Sequence, residues 1–246
     1  MLDVSRPFDG DLEGRQTDIA FELLRADIVA CRLAPGESVS EAALAARYGL
    51  GKATIRGALA RLGEAGWVRA LARRGHVVAP ITLRDIGEIF EWRRIVEPAA
   101  ARLAAGRADA QRLREIDAVC GSGFLAGDAA SAATFLQAHR RFHLAVALAG
   151  GNRRLIEAFR QVADESERVI HHSGLLHLRG AELAHGHDGL IAALAAGDGD
   201  AAAALVEEEI DGLHRLVVET ALQTASTLLP AALAEARGAQ AAWIDR

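Results

Sequence analysis

The chain has 246 residues and a formal net charge of −5, from 28 lysines and arginines against 33 aspartates and glutamates. This length is sufficient for two domains with separate hydrophobic cores. Half of the residues are hydrophobic, but many of these are alanines, and no apolar run approaches the roughly 18 residues that a membrane-spanning helix requires. The N-terminus also lacks a basic segment followed by an apolar one. These features exclude an integral membrane protein and predict a soluble, cytoplasmic one.

The first elements in chain order are predicted to be three short helices. Ile19 to Arg32 has the apolar period of an amphipathic helix. Ser40 is a good N-cap for a helix that contains Leu44, and Gly49 supplies the left-handed residue that commonly ends one. After a tight turn, a further helix is predicted from Lys52 to Glu64. Its core-facing positions are Ile55, Leu59 and Leu62.

A basic hairpin follows these helices. The run from Trp67 to Val78 predicts two short strands joined by a cationic tip. Residues 47–76 carry seven arginines and lysines against one acidic residue, a local net charge of +6. Because phosphate neutralisation depends on local positive charge, the acidic total does not argue against nucleic acid. We therefore predict a winged helix-turn-helix rather than a solvated helical hairpin with ordinary surface arginines. The predicted DNA contacts are Lys52, Ala53, Thr54, Arg56, Arg73, Arg74 and Gly75.

Roughly residues 17–80 resemble the winged helix-turn-helix of the GntR family of bacterial transcription regulators. Leu33 to Glu37, followed by Val39 and Glu41, is similar to the family's approach to the motif. The recognition helix departs from the family pattern Ser-Arg-Thr-Pro-Val-Arg-Glu-Ala-Leu, because residues 51–59 read Gly-Lys-Ala-Thr-Ile-Arg-Gly-Ala-Leu. Lys52 retains a charge but lacks the planar fork of arginine. Gly57 is expected to cost about 1 kcal/mol relative to alanine inside a helix.

The second part of the chain is predicted to be all-helical, which makes the protein mainly α. Glycines divide it into six predicted helices that form a bundle. Their predicted ranges are 82–105, 108–126, 129–149, 152–172, 175–196 and 199–224. The predicted domains are a DNA-binding domain at 12–79, a helical domain at 82–224 and a C-terminal extension at 225–246. Leu228, Leu229, Leu233 and Trp243 give the extension the character of a further helix that packs on a partner subunit.

Residues 84–222 resemble the FadR-type effector-binding (FCD) domain of the same family. The similarity rests on Ile89 to Glu97, on Phe142-His143 followed by Gly151-Asn152, and on the segment that follows His187. The resemblance implies a homodimeric regulator that binds a pseudo-palindromic operator in double-stranded DNA. It also implies a repressor released by a small organic acid. Arg93 is a candidate effector-binding residue, although an ion pair with Glu97 four residues later is the simpler interpretation.

Many relatives hold a divalent metal through an Asp and a His one turn apart and two later histidines. This chain has His139 at the position of the Asp, followed by His143, and Glu209 at the position of the last His, 22 residues after His187. Three imidazoles and one carboxylate suit Zn, Ni or Mn. We therefore expect His139, His143, His187 and Glu209 to form a rearranged metal site. The alternative is a metal-free pocket in which these groups hydrogen-bond to one another or bind an anion directly.

Two further functions are consistent with the same residues. The alternatives are a regulator that responds to the metal itself and a metal-dependent enzyme built on the bundle. The enzyme interpretation lacks an identifiable general base and disregards the winged helix. Cys31 and Cys120 form no Cys-x-x-Cys pair and are interpreted as small apolar residues. The prediction is therefore a DNA-binding regulator and not an enzyme.

Overall fold

The chain folds into two compact units, Met1–Thr82 and Leu83–Arg246. The computed structural model describes residues 9–71, 75–125, 128–183 and 186–244. Within these residues, no helix combines the length and the apolar character required to cross a membrane. Most of the described residues are helical, which confirms the mainly α fold class.

The first unit is a helix-turn-helix followed by a hairpin, as predicted. Its helices are α1 (Asp9–Val29), α2 (Glu41–Tyr48) and α3 (Lys52–Glu64), and its strands are β1 (Ser38–Val39), β2 (Val68–Leu71) and β3 (Gly75–Val78). The Ser40 side chain caps α2 by accepting a hydrogen bond from the Ala43 amide, and Gly49 ends the helix with φ 66°. The strands form one antiparallel sheet in the order β1-β3-β2. The predicted hairpin is thus confirmed, and its tip at 72–74 lies outside the described residues.

The core of this unit forms where α1 packs against α3. Leu24 and Ile28 of α1, with Ile55, Leu59 and Leu62 of α3, are at most 2% exposed. Gly57 of α3 lies at this contact, because a Cβ atom placed there would be 3.1 Å from Thr17 Cγ2. The glycine that lowers helix propensity therefore permits the close approach of the two helices.

The second unit is a helical bundle. Its helices are α4 (Leu83–Ala104), α5 (Ala110–Gly121), α6 (Ala129–Gly150), α7 (Arg153–Ser173), α8 (Leu175–Leu178), α9 (Asp188–Ala196) and α10 (Gly199–Ile244). Asp109, Asp128 and Asn152 cap α5, α6 and α7 by accepting hydrogen bonds from backbone amides of the first turn. Helix α4 packs against α6, α7 and α10, so it lies at the centre of the bundle.

Two helix predictions in this unit were wrong. The helix predicted over 175–196 is interrupted: α8 ends at Leu178, a 3-10 helix spans Gly180–Glu182, and α9 begins at Asp188. His187, the residue before α9, donates from its backbone amide and from Nδ1 to the Asp117 carboxylate, which holds the start of α9 in place. The helix predicted to end at 224 instead continues as α10 to Ile244. The side-chain packing proposed for Leu228, Leu229, Leu233 and Trp243 lies outside the described residues.

Gly75 begins β3 at a position that only glycine fits. It has φ +85°, and a Cβ atom there would be 2.5 Å from the Val39 carbonyl oxygen. Gly36 has a similar φ of +81°, but its Cβ atom would meet nothing within 4 Å. A comparison of alanine substitutions at these two glycines therefore distinguishes the cost of a left-handed backbone from the cost of a steric clash.

We predict that Gly75→Ala destabilises the first unit far more than Gly36→Ala. The left-handed backbone alone costs about 1–2 kcal/mol for alanine, and displacing the Val39 carbonyl adds roughly 1–3 kcal/mol at Gly75. Urea unfolding followed by far-ultraviolet circular dichroism measures both variants against the wild type. Equal losses in the two variants would contradict the steric explanation.

Candidate functional site

The exposed end of α3 presents two cations. Lys52, Ala53 and Arg56 are exposed, and the N-cap residue Gly51 makes no side-chain capping hydrogen bond. Because Lys52 and Arg56 are one helical turn apart, their side chains lie on the same face. A helix N-terminus with two cations is a suitable surface for phosphates and base edges.

Arg56 is held by a residue that sequence reasoning had assigned only to the family motif. Its Nε lies 2.9 Å from Glu41 Oε1, and its Nη2 lies 2.8 Å from Glu41 Oε2. Hydrogen bonding from Arg56 lowers the pKa of Glu41, the first residue of α2. This two-point contact orients the guanidinium, while 69% of the Arg56 side chain remains accessible.

The other predicted DNA contacts differ in their placement. The predicted DNA contact of Thr54 does not agree with its burial. Thr54 is only 7% exposed and lies one turn before the buried Ala58, on the packed side of α3. Its side chain therefore has little surface for a base contact. Gly75 lies at the start of β3. Arg73 and Arg74 lie outside the described residues.

In the second unit, the four predicted metal ligands converge. His139, His143, His187 and Glu209 each offer a donor atom, and these atoms all lie within 4.8 Å of one another. Glu209 Oε1 is 3.0 Å from His139 Nε2 and 3.0 Å from His143 Nε2. Glu209 Oε2 is 3.7 Å from His187 Nε2. Helix α6 supplies the first two histidines, the residue before α9 supplies the third, and α10 supplies the carboxylate.

Burial and charge determine the protonation of these groups. Burial, together with the neighbouring His143 and His187, lowers the pKa of His139 to about 4 despite its hydrogen bond with Glu209. Burial also opposes protonation of His187, but Glu209 and Asp117 outweigh it and raise the pKa of His187. His139 is therefore a neutral imidazole near pH 7, which is the form that binds metals.

Asp117 of α5 orients His187, and sequence reasoning did not find it. Its Oδ1 is 2.6 Å from His187 Nδ1, and its Oδ2 accepts from the His187 amide at 2.9 Å. Phe142 stacks on the imidazole with ring centroids 4.1 Å apart. A carboxylate bound to one ring nitrogen leaves the other nitrogen to face the cluster, as in many metal sites. The signal was weak, since Asp117 lies 70 residues before His187 in a helix with other polar residues.

Cys120 lies beside this pair but does not alter the donor set. Asp117, Cys120 and His187 form a second group of potential ligands. Burial, and then the charges of Asp117 and Glu209, raise the pKa of the Cys120 thiol to about 12. A thiol that remains protonated at neutral pH is a poor ligand and nucleophile. This agrees with its interpretation as a packing residue.

The donor chemistry fits a divalent transition metal. Three imidazoles and a carboxylate are ligands that Zn, Ni and Mn accept. The convergence of Nε2 of His139 and His143 on one carboxylate oxygen, with His187 oriented by Asp117, brings the four donors to a common point. Hydrogen bonds to Glu209 and Asp117 also engage His139 Nε2, His143 Nε2 and His187 Nδ1 without a metal. His187 Nε2 differs, because it faces Glu209 Oε2 at 3.7 Å, beyond hydrogen-bonding distance.

Two cavities adjoin the cluster on different sides. The larger has a volume of about 330 Å³ and is bordered by His139, His187 and Glu209. The smaller, of about 50 Å³, is bordered by His139, His143 and Arg93. Arg93 is 4% exposed, and its guanidinium donates to Glu97 at 2.6 Å and to Ser166 at 3.0 Å. Its ion pair with Glu97 is therefore formed, as the simpler interpretation of these residues required.

Comparison with known families assigns both units. The model for bacterial regulatory proteins of the gntR family matches residues 16–78, and the model for the FCD domain matches residues 88–212, about half of the chain. The chain belongs to the GntR family and carries an FCD domain. The resemblance inferred from the sequence is thereby confirmed. The GntR match contains Glu41 and Arg56, and the FCD match contains the whole histidine cluster and Asp117.

Two proteins named as transcriptional regulators match parts of the chain. The Nta operon transcriptional regulator of Aminobacter aminovorans is 29% identical over 138 residues, covering 55% of this chain and 62% of the relative. The HTH-type transcriptional repressor RspR of Escherichia coli K12 is 33% identical over 85 residues, covering 35% of this chain and 37% of RspR. The chain thus aligns with between about a third and three fifths of these relatives. Both are named as regulators rather than enzymes.

Solved structures extend the similarity across most of the chain. A GntR regulator from Rhodococcus sp. RHA1 is 28% identical with a TM-score of 0.66, covering 84% of this chain and 98% of that one. Escherichia coli McbR/YncC is 19% identical with a TM-score of 0.69, covering 83% and 97%, and this likeness concerns the fold.

Within the GntR unit, Asp27 joins α1 to α2. Its carboxylate accepts from Arg32 Nε and Arg47 Nη2, both at 2.7 Å, and from the Tyr48 hydroxyl. Burial alone would raise the pKa of Asp27, but the hydrogen bonds from Tyr48 and Arg32 and the charge of Arg47 outweigh it and lower the pKa. The helix that precedes the turn is thereby fixed to α1.

We predict that Asp27→Asn lowers the stability of the first unit by roughly 1–3 kcal/mol at pH 7, the usual size for hydrogen bonds to a charged group. Because the folded-state pKa is lowered, the contribution is complete above the unfolded pKa near 3.9 and is lost as the pH falls through the folded value. Urea unfolding of wild type and variant at a series of pH values measures this contribution of Asp27 to stability. A difference between wild type and variant that persists undiminished at pH 2 would contradict this origin.

Proposed function

We propose that this regulator binds an operator in double-stranded DNA as a homodimer and acts in the cytoplasm as a repressor that a small organic acid releases. The acid binds at a divalent metal held in the FCD unit. The observation that carries the proposal is the convergence of His139, His143, His187 and Glu209 inside the bundle. Membership of the GntR family supports the DNA-binding half.

The DNA-binding half rests on the local charge and on the exposed face of α3. Lys52 and Arg56 are accessible, and Glu41 orients the guanidinium of Arg56. The basic wing residues Arg73 and Arg74 are proposed to add phosphate contacts. A homodimer presents two such surfaces, so its operator has matching half-sites related by a two-fold axis.

We predict that Arg56→Ala weakens DNA binding roughly tenfold to a hundredfold, because it removes contacts worth about 1–3 kcal/mol. The double variant Arg73→Ala/Arg74→Ala should weaken binding and flatten its dependence on salt, since fewer counterions are released. Fluorescence anisotropy with a duplex that the wild-type protein selects from a randomised pool measures both effects.

The matched control is Arg112→Ala, which removes an exposed arginine of the FCD unit that also pairs with a glutamate. It should leave DNA affinity unchanged. If Arg56→Ala and the wing variant bind like this control, the DNA-binding assignment of these residues fails.

In the FCD unit, His139, His143, His187 and Glu209 would hold the metal, and Asp117 would orient His187. When bound, the metal supplies a Lewis-acidic anchor for the carboxylate of the effector. Arg93 is proposed to add positive charge from the smaller cavity, although its Nε, Nη1 and Nη2 are already engaged by Glu97 and Ser166. Its contribution to effector binding is therefore electrostatic.

Contacts between α10 and α4 provide a route by which effector binding could change DNA affinity. Asp211, two residues after Glu209, accepts from Arg94 Nε at 2.7 Å, and His214 stacks on Phe90 with centroids 4.6 Å apart. Helix α4 begins at Leu83, the first residue of its unit. A ligand that shifts Glu209 would thus act on the helix that continues directly from the DNA-binding unit. Such a shift requires different affinity for two conformations.

We predict one tightly bound metal per subunit in untagged protein, and its loss in His143→Ala and Glu209→Gln. Asp117→Asn should weaken metal affinity about tenfold to a hundredfold, the usual effect of removing a carboxylate that orients a ligand histidine. Elemental analysis and competition with a chelator measure these quantities. His177→Ala, which removes an exposed histidine of the short helix α8, is the control and should retain the metal.

The response of DNA affinity separates effector regulation from metal sensing. An organic-acid regulator changes its DNA affinity when the acid is added to metal-loaded protein, whereas a metal sensor responds to the metal alone. Protein that binds no metal after reconstitution with Zn, Ni or Mn would overturn the metal site and leave the DNA-binding half standing.

A further inference from the structure

The larger cavity beside the cluster has an apolar wall. Its volume of about 330 Å³ is within the usual range of small-molecule sites, about 300–1,000 Å³. The wall comes mainly from α6, α7, α9 and α10 and from the segment before α9. Its largest aliphatic contributors include Leu136, Ile170, Leu183, Leu190, Leu213 and Leu216. A ligand that fills this space exchanges water for hydrocarbon over most of its surface.

Two sets of polar groups line the cavity. His139, His187 and Glu209 belong to the cluster. Elsewhere along the described lining, the ionisable side chains are the exposed Glu182 and Glu208, and no lysine or arginine contributes. Arg179 offsets the charge of Glu182, whereas the carboxylate of Glu208 disfavours a second negative charge on a ligand. The cavity therefore provides one anchoring point for an anion.

The two arginines that border the smaller cavity have carboxylate partners. Arg93 pairs with Glu97, and Arg140 pairs with Asp164. Both arginines border the cavity of about 50 Å³, which is large enough for little more than water. Neither borders the larger cavity. Arg179 pairs with Glu182, which lines the larger cavity, and with Glu219. The described lining itself contains no guanidinium, so a second carboxylate of a ligand would meet mainly aliphatic side chains.

We propose that the effector is a monocarboxylate with an apolar body of about six or more carbons. Its carboxylate lies at the His139, His187 and Glu209 end, and its chain or ring fills the aliphatic part of the cavity. The size follows from volume, since a cavity of about 150 Å³ accommodates benzene and this one is roughly twice as large. The inference rests on the proposed metal-dependent function and narrows its ligand from organic acids in general to amphipathic ones.

The first test titrates metal-loaded protein with acetate, butanoate, hexanoate and octanoate by isothermal calorimetry. Each added methylene should raise affinity roughly three- to fourfold until the cavity is full. Adipate has the carbon skeleton of hexanoate with a second carboxylate at the far end. It should bind at least about tenfold more weakly than hexanoate, because burial of that charge is unfavourable.

The second test fills the cavity without altering a metal ligand. Gly212 of α10 lines the cavity, and a Cβ atom placed there would meet nothing within 4 Å. The leucine of Gly212→Leu should therefore occupy part of the cavity while the protein retains the metal. Octanoate should then bind this variant no more tightly than hexanoate does. Gly121→Leu is the matched control, because Gly121 is exposed at the end of α5 and its added Cβ atom also meets nothing within 4 Å. It should titrate like the wild type.

The outcomes separate this inference from the proposed function. Affinity that does not depend on chain length, or adipate binding as tightly as hexanoate, overturns the inference while a measured metal content preserves the metal site. Protein without metal overturns the metal site, and the same series is then titrated into it. Hexanoate binding that Gly212→Leu abolishes would still support the cavity assignment, and the absence of hexanoate binding would overturn it.

Discussion

The burial of ionisable groups inside an apolar helical bundle is the constraint on which the second unit depends. The side chains of His143 and His187 are 6% and 2% exposed, and that of Glu209 is 12% exposed. Each such group destabilises the fold by several kcal/mol unless hydrogen bonds or a charge partner compensate. The contacts of Glu209 with the histidines, and of Asp117 with His187, provide this compensation. The positions of α5, α6, α9 and α10 relative to one another follow from it.

The elements that could be predicted from sequence are those that local chemistry determines. Helix α3 begins and ends where its apolar period indicated, and Ser40 and Gly49 bound α2 because capping depends only on neighbouring residues. The segment 175–196 differs, because one helix was predicted across Gly180 and Gly186 and the structure has a break there. The position of His187 before α9 depends on its bond to Asp117, a contact between residues 70 positions apart that no local pattern encodes.

The residues of the site also divide into those that sequence spacing identifies and those that depend on how helices pack. The four cluster residues were found because family spacing identifies positions on helices, and the helices bring those positions together. Asp117 and the contact of Glu41 with Arg56 were missed, because each depends on how two helices pack. The burial of Thr54 was missed for a related reason: the apolar face of α3 extends further around the helix than its three largest side chains indicate. The larger cavity is a property of the gaps between helices, which composition does not reveal.

The two departures from the family's ligand pattern occur at positions that touch. The family resemblance implies an aspartate where this chain has His139 and a histidine where it has Glu209, and the side chains of these two residues are 3.0 Å apart. Exchanging an imidazole and a carboxylate between adjacent positions preserves the number of donors and the total charge of the cluster. It also moves the carboxylate from α6 to α10, where it borders the larger cavity beside Gly212 and Leu213. Because either group without the other would unbalance a buried cluster, the side chains of His139 and Glu209 depend on each other.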